Sequence, residues 1–200
     1  MWRGRYLIMP NPCILCSASC CTDLYITVTI FDVLRISKKT GKKPEDFATL
    51  YPLRLINFDN DTVLEFHDRK YMEEHILCLK SHPCIFLDGK KCSIHEFSPS
   101  ACRAFPKGMD GRYRTRLCPF PAGLVFRVLG TEVRKTYAWE LGTYKKIVSE
   151  WNRRKGKKND CMDFLLARAE EELGKDHSFK EGAGSGSLST TCATASSAMK

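Results

Sequence analysis

Eleven cysteines stand in this 200-residue chain, and four of them, Cys13, Cys16, Cys20 and Cys21, fall within nine residues. Thiolate is a soft, strong ligand for zinc and for iron–sulfur clusters. The two-residue spacer between Cys13 and Cys16 lets two sulfurs of one turn converge on a single metal. Adjacent Cys20 and Cys21 point differently in most backbone conformations, which suits them to different metal atoms or different centres. Crowded thiols without a ligand role waste apolar volume and invite oxidation. The run therefore points to metal or redox chemistry.

A second, wider set reads Cys84-x7-Cys92-x9-Cys102-x15-Cys118. Each member stands beside a turn or a helix start: Cys84 after Pro83, Cys92 after Asp88-Gly89, Cys102 after Ser98-Pro99, Cys118 before Pro119. Backbone N–H groups free at such places can donate to sulfur and tune a metal centre, and a helix start favours thiolate. Cys78 and Cys161 read instead as packing residues, since cysteine is among the most buried residue types. Cys192 reads as a bystander in the tail. His95, between Cys92 and Cys102, reads as structural, with a role as substitute ligand or supporting donor as the alternative. The remaining histidines form no metal-binding pair, and no Ser/His/Asp set is marked out.

These residues need a scaffold. Hydrophobic residues are 43% and charged residues 28%, which excludes wholesale disorder and leaves ample material for a core. The longest apolar run, Leu24 to Phe31, is eight residues and contains two threonines, too short to span a bilayer. The first ten residues carry two arginines and a four-residue apolar patch, too short for a secretory signal. The expectation is a cytoplasmic protein, where disulfides are rare and clustered cysteines mean metal or redox work. The net charge of +9 falls to about +5 if eight thiolates hold two divalent ions.

Leu24–Val28 alternates and predicts a strand. Thr29 and Asp32 form a capping box that opens a helix to about Lys39, closed by Gly41. Pro44 opens a second helix to about Tyr51, and Leu53–Phe58 with Thr62–Phe66 reads as a hairpin. His75–Lys80 reads as a strand, and residues 84–95 as a hairpin turning at Asp88-Gly89. Ser98 caps a short helix carrying Cys102. Glu140, Tyr144, Ile147, Val148 and Trp151 recur at helical spacing. So do Met162, Leu165, Leu166, Ala169 and Leu173, with Gly174 as the stop. The fold class is α+β: a small cysteine-rich domain with short hairpins over 1–130, a helical extension over 131–174 and a disordered tail over 175–200.

The first cysteine run, with Ile26 to Arg35 after it, resembles the opening of the YkgJ-type cysteine-cluster proteins, the zinc- or iron-chelating proteins labelled CxxCxxCC. Residues 83–87, 92–96 and 99–106 resemble their second signature. The resemblance implies eight metal ligands: Cys13, Cys16, Cys20, Cys21, Cys84, Cys92, Cys102 and Cys118. The spacer before Cys20 is one residue longer than the label, and His95 and Ser98 stand where tyrosine and arginine are common. The family is also linked to a flagellin lysine N-methylase, so a methylase-related enzyme is one alternative, although little length is left here for a catalytic domain.

Eight thiolates allow two closed zinc sites or iron–sulfur clusters, and spacing does not choose. The expected cofactor is an iron–sulfur cluster, with zinc as the alternative. Family members are often described as iron–sulfur-like, and Arg103, Lys107, Arg112, Arg114 and Arg116 crowd the last two ligands with positive charge. The competing reading is a zinc-stabilised interaction module. Seven basic residues against one acidic between 145 and 158, interleaved with Trp139, Tyr144 and Trp151, would let it bind nucleic acid. The blander reading of that stretch is a solvated helix end, and the partner or substrate stays open.

Overall fold

The computed structural model describes residues 19–56, 62–67, 71–105 and 131–182. It is an α+β structure of helices and small antiparallel sheets, as expected. In chain order the elements are α1 (Ser19–Asp23), α2 (Ile30–Thr40), α3 (Pro44–Phe47), β1 (Ala48–Pro52), β2 (Leu64–Phe66) and β3 (Glu73–Leu79). Then come β4 (Leu87–Asp88), β5 (Lys91–Cys92), α4 (Ser100–Ala104), α5 (Thr131–Arg154) and α6 (Cys161–Gly182).

The capping box forms as the sequence predicts. Thr29 Oγ1 accepts from the Asp32 N–H at 3.2 Å, and the Asp32 carboxylate accepts from the Thr29 N–H at 2.9 Å. Gly41 ends α2 at φ 69°, its N–H donating to the Ser37 carbonyl, in a conformation that only glycine adopts without strain. Ile30, Phe31, Val33 and Ile36 give α2 its buried face.

β3 is the centre of the larger sheet, with β1 on one edge and β2 on the other, both antiparallel. The free part of that second edge takes Thr27 as a single bridge to Cys78, flanked by Val28 N–H to Leu77 O and Leu79 N–H to Ile26 O. The strand expected over Leu24–Val28 is thus reduced to one bridge. The helix expected from Pro44 to Tyr51 stops at Phe47, because Phe47 and Ala48 are buried and the next residues pair with β3. The hairpin expected between residues 53–58 and 62–66 does not form. Leu53–Leu55 is a 3-10 turn, and Leu64–Phe66 pairs with β3, a partner that local alternation cannot name. The hairpin at Asp88-Gly89 shrinks to two-residue strands, Gly89 standing at φ 56° as the first loop residue.

The stripe on α5 is buried as predicted, from Glu140 through Tyr144, Ile147, Val148 and Trp151. Its end also caps the outer edge of β2. Asn152 accepts from the Glu65 N–H at 3.0 Å and donates to the Val63 carbonyl at 2.9 Å, while Trp151 Nε1 donates to the Glu65 carbonyl. A Cβ added at Gly156 would lie 2.3 Å from the Trp151 ring. Gly156→Ala must push that ring from its pocket and is expected to cost about 1–3 kcal/mol, read as a lower urea midpoint at unchanged slope.

On α6, Cys161, Leu165 and Ala169 are fully buried. The helix does not stop at Gly174 but continues to Gly182. Gly174 is not in the left-handed conformation a stop requires, and Lys175 pairs back to Glu171 and Glu172 across it. The stretch 175–182, placed by the sequence in a disordered tail, is therefore helical, and residues 183–200, with Cys192, lie outside the described residues. α2, β3, α5 and α6 share one apolar core, and among the described residues no helix is long and apolar enough to cross a membrane.

His75 on β3 is buried beside Phe66, with Lys158 Nζ 2.7 Å from its Nε2. Burial first, and then the Lys158 charge, hold its pKa below the ordinary 6.5. The unfolded chain thus takes up a proton near pH 6.5 that the folded chain refuses until lower pH. Stability is fully present above pH 6.5 and falls as pH drops toward the folded value. His75→Phe is expected to flatten this slope in urea titrations between pH 7 and pH 5.

Candidate metal centre

α1 carries Cys20 and Cys21, whose sulfurs lie 3.9 Å apart. The Cys84 N–H donates to the Cys21 carbonyl at 2.8 Å, tying the first cysteine run to the second set. Cys84 sits in the turn after β3, following a cis His82–Pro83 bond. That turn is fixed by Ile85 N–H to Lys80 O and Leu87 N–H to Cys84 O. Cys92 ends β5, held by Ser93, whose N–H and hydroxyl both donate to the Phe86 carbonyl, while Phe86 and Ile94 are buried in the core. Cys102 lies in the middle of α4.

Three separate chain segments thus bring five cysteines into one electrostatic neighbourhood. Cys102 lies within electrostatic range of Cys20, Cys84 and Cys92, and Cys21 within range of Cys102 and Cys84. The hydrogen bond with Cys21 lowers Cys20 to about 7, and the same bond, then burial, raises Cys21. Burial raises Cys84, Cys92 and Cys102, Cys102 most strongly. All five are free thiols. Among the described residues no three Cys, His, Asp or Glu side chains close on a single metal position by themselves. Cys13, Cys16 and Cys118 lie outside the described residues, as do Lys107, Arg112, Arg114 and Arg116. Five thiols outnumber the carboxylates of Asp23 and Asp32 in this neighbourhood, and a sulfur-rich donor set suits zinc or iron over hard cations. A bound cation favours the thiolate form and displaces the protons of such thiols.

Cys78 and Cys161 are fully buried, and burial alone raises each thiol to about 12, as packing residues require. His95 starts a 3-10 turn and accepts the Ser98 hydroxyl through its carbonyl. Ser98 is not the cap of α4. The first-turn amide of Ser100 is taken instead by Asp32 Oδ1 at 2.8 Å, from a helix 68 positions earlier. Asp32 Oδ1 also accepts from Arg35 at 2.7 Å, Arg35 pairs with Glu140, and Glu140 Oε2 accepts the Ser100 hydroxyl at 2.6 Å. This ring joins residues that no local pattern links. Its one visible signal was a glutamate, Glu140, on an otherwise apolar stripe. Tyr144 and Trp151 are core residues, so neither gives a nucleobase a stacking face.

No curated protein and no solved structure matches the chain. One family model does, over residues 12–119, more than half of the chain. Its span takes in the cysteine run, the turn of Cys84, the hairpin of Cys92 and the helix of Cys102. The chain accordingly belongs to the CxxCxxCC family, described as a "putative zinc- or iron-chelating domain".

Proposed function

We propose that this protein holds an iron–sulfur centre on the thiolates of Cys13, Cys16, Cys20, Cys21, Cys84, Cys92, Cys102 and Cys118, and serves a redox or enzyme-assisting role in a reducing compartment. The observation that supports the reading is the tie between the two cysteine sets: the Cys84 N–H is bonded to the carbonyl of Cys21, whose thiol lies 3.9 Å from that of Cys20, with Cys92 and Cys102 within electrostatic range. Eight thiolates suffice for two four-thiolate centres. Arg103, next to Cys102, adds a positive charge that favours an anionic cluster. When bound, the cluster supplies one-electron chemistry. The chain's own residues supply the sulfur ligands and a partly buried setting.

The test is anaerobic purification with elemental analysis and a visible spectrum. Iron with inorganic sulfide and sulfur-to-iron charge-transfer absorption is expected. A colourless protein with stoichiometric zinc would overturn the cluster and keep thiolate chelation. A protein that takes up neither metal after reduction would overturn both.

A further inference from the structure

α4 is five residues long and has no side-chain cap of its own, so it cannot hold its position by helical stability. Its position is imposed from outside, through Ser100, which is fully buried two residues before Cys102. The Ser100 N–H goes to Asp32 on α2, and its hydroxyl goes to Glu140 on α5. Arg35 bonds both carboxylates and closes a ring of four residues, and Arg103 donates to the Ser100 oxygen at 3.2 Å. A carboxylate on the buried face of α5 carries a desolvation cost that an apolar residue would avoid. Packing alone gives no reason for it, whereas setting α4 does.

We propose that Glu140 is a positioning residue for the metal centre. Through Ser100 and Arg35 it sets the helix that presents Cys102, which makes α5, beyond the family match, part of the metal-holding unit. This inference rests on the cysteine-ligand reading above. Partners that orient a metal ligand typically matter 10–100-fold in affinity.

The experiment loads the full reduced chain with cobalt(II), whose thiolate charge-transfer band counts bound sulfurs, in wild type, Glu140→Ala, Glu140→Gln, Ser100→Ala and Leu165→Ala. Glu140→Ala is expected to bind cobalt about 10–100-fold more weakly, with a saturated band reduced by about one thiolate's share. Glu140→Gln can still hydrogen-bond Ser100 and should recover most of the band. Leu165→Ala removes a buried core side chain outside the ring and should melt earlier with its saturated band intact. A wild-type band and affinity in Glu140→Ala would overturn the inference, as would an equal band loss in Leu165→Ala. Should Glu140→Ala not fold, Ser100→Ala decides: a diminished band supports the proposal and an undiminished one overturns it. A wild-type protein with no thiolate band would sink the metal reading itself.

Discussion

Replacing Cys21 by alanine is expected to strip the protein of bound metal and of much of its folding stability together. The free energy of a structural thiolate site, about 10–16 kcal/mol for zinc, is folding free energy, because the site does not exist in the unfolded chain. Losing one sulfur removes a sizeable share of it. Cys20→Ala should act alike, since the two thiols share a contact of 3.9 Å. Elemental analysis beside anaerobic melting checks both quantities on one sample. Full metal occupancy and an unchanged midpoint in both variants would refute the assignment. Cys78→Ala is the contrast: Cys78 is wholly buried in β3, so its loss should lower the midpoint while metal content stays constant.

Asp32→Ala carries the second large effect. Asp32 is fully buried and accepts hydrogen bonds from the Thr29 N–H and hydroxyl, the Ser100 N–H and Arg35. Alanine leaves a half-buried guanidinium short of one partner and two backbone amides unsatisfied. Breaking such a buried pair costs about 3–5 kcal/mol. Urea unfolding of the metal-free chain, if it folds, or thermal melting of the loaded one, is the measurement. A loss below about 1 kcal/mol, that of an ordinary helix cap, would show that Asp32 serves α2 alone.

What could be read from the residues follows the range of the forces involved. The capping box of Thr29 and Asp32, the glycine stop at Gly41 and the helical stripe through Trp151 are local patterns, and each stands where it was expected. The cysteine run was legible because its ligand chemistry is written in spacing. Partnership was not. Ala48–Pro52 shows no sign of being a strand until β3 lies beside it, and Leu64–Phe66 reads equally well against the wrong neighbour. The same holds for the site. Asp32 shows itself as the cap of its own helix, yet its second task, receiving the Ser100 amide, needs a chain reversal that no local window contains.

The side chains of Asn152 and Trp151 on the rim of β2 have a consequence for association. An unpaired strand border is a template on which a second molecule can add its own strand. Here an amide that both donates and accepts, together with an indole N–H, occupies the hydrogen-bonding groups of Val63 and Glu65 much as a neighbouring strand would. That border is closed to chain-to-chain zippering, so removing Asn152 opens a route to self-aggregation.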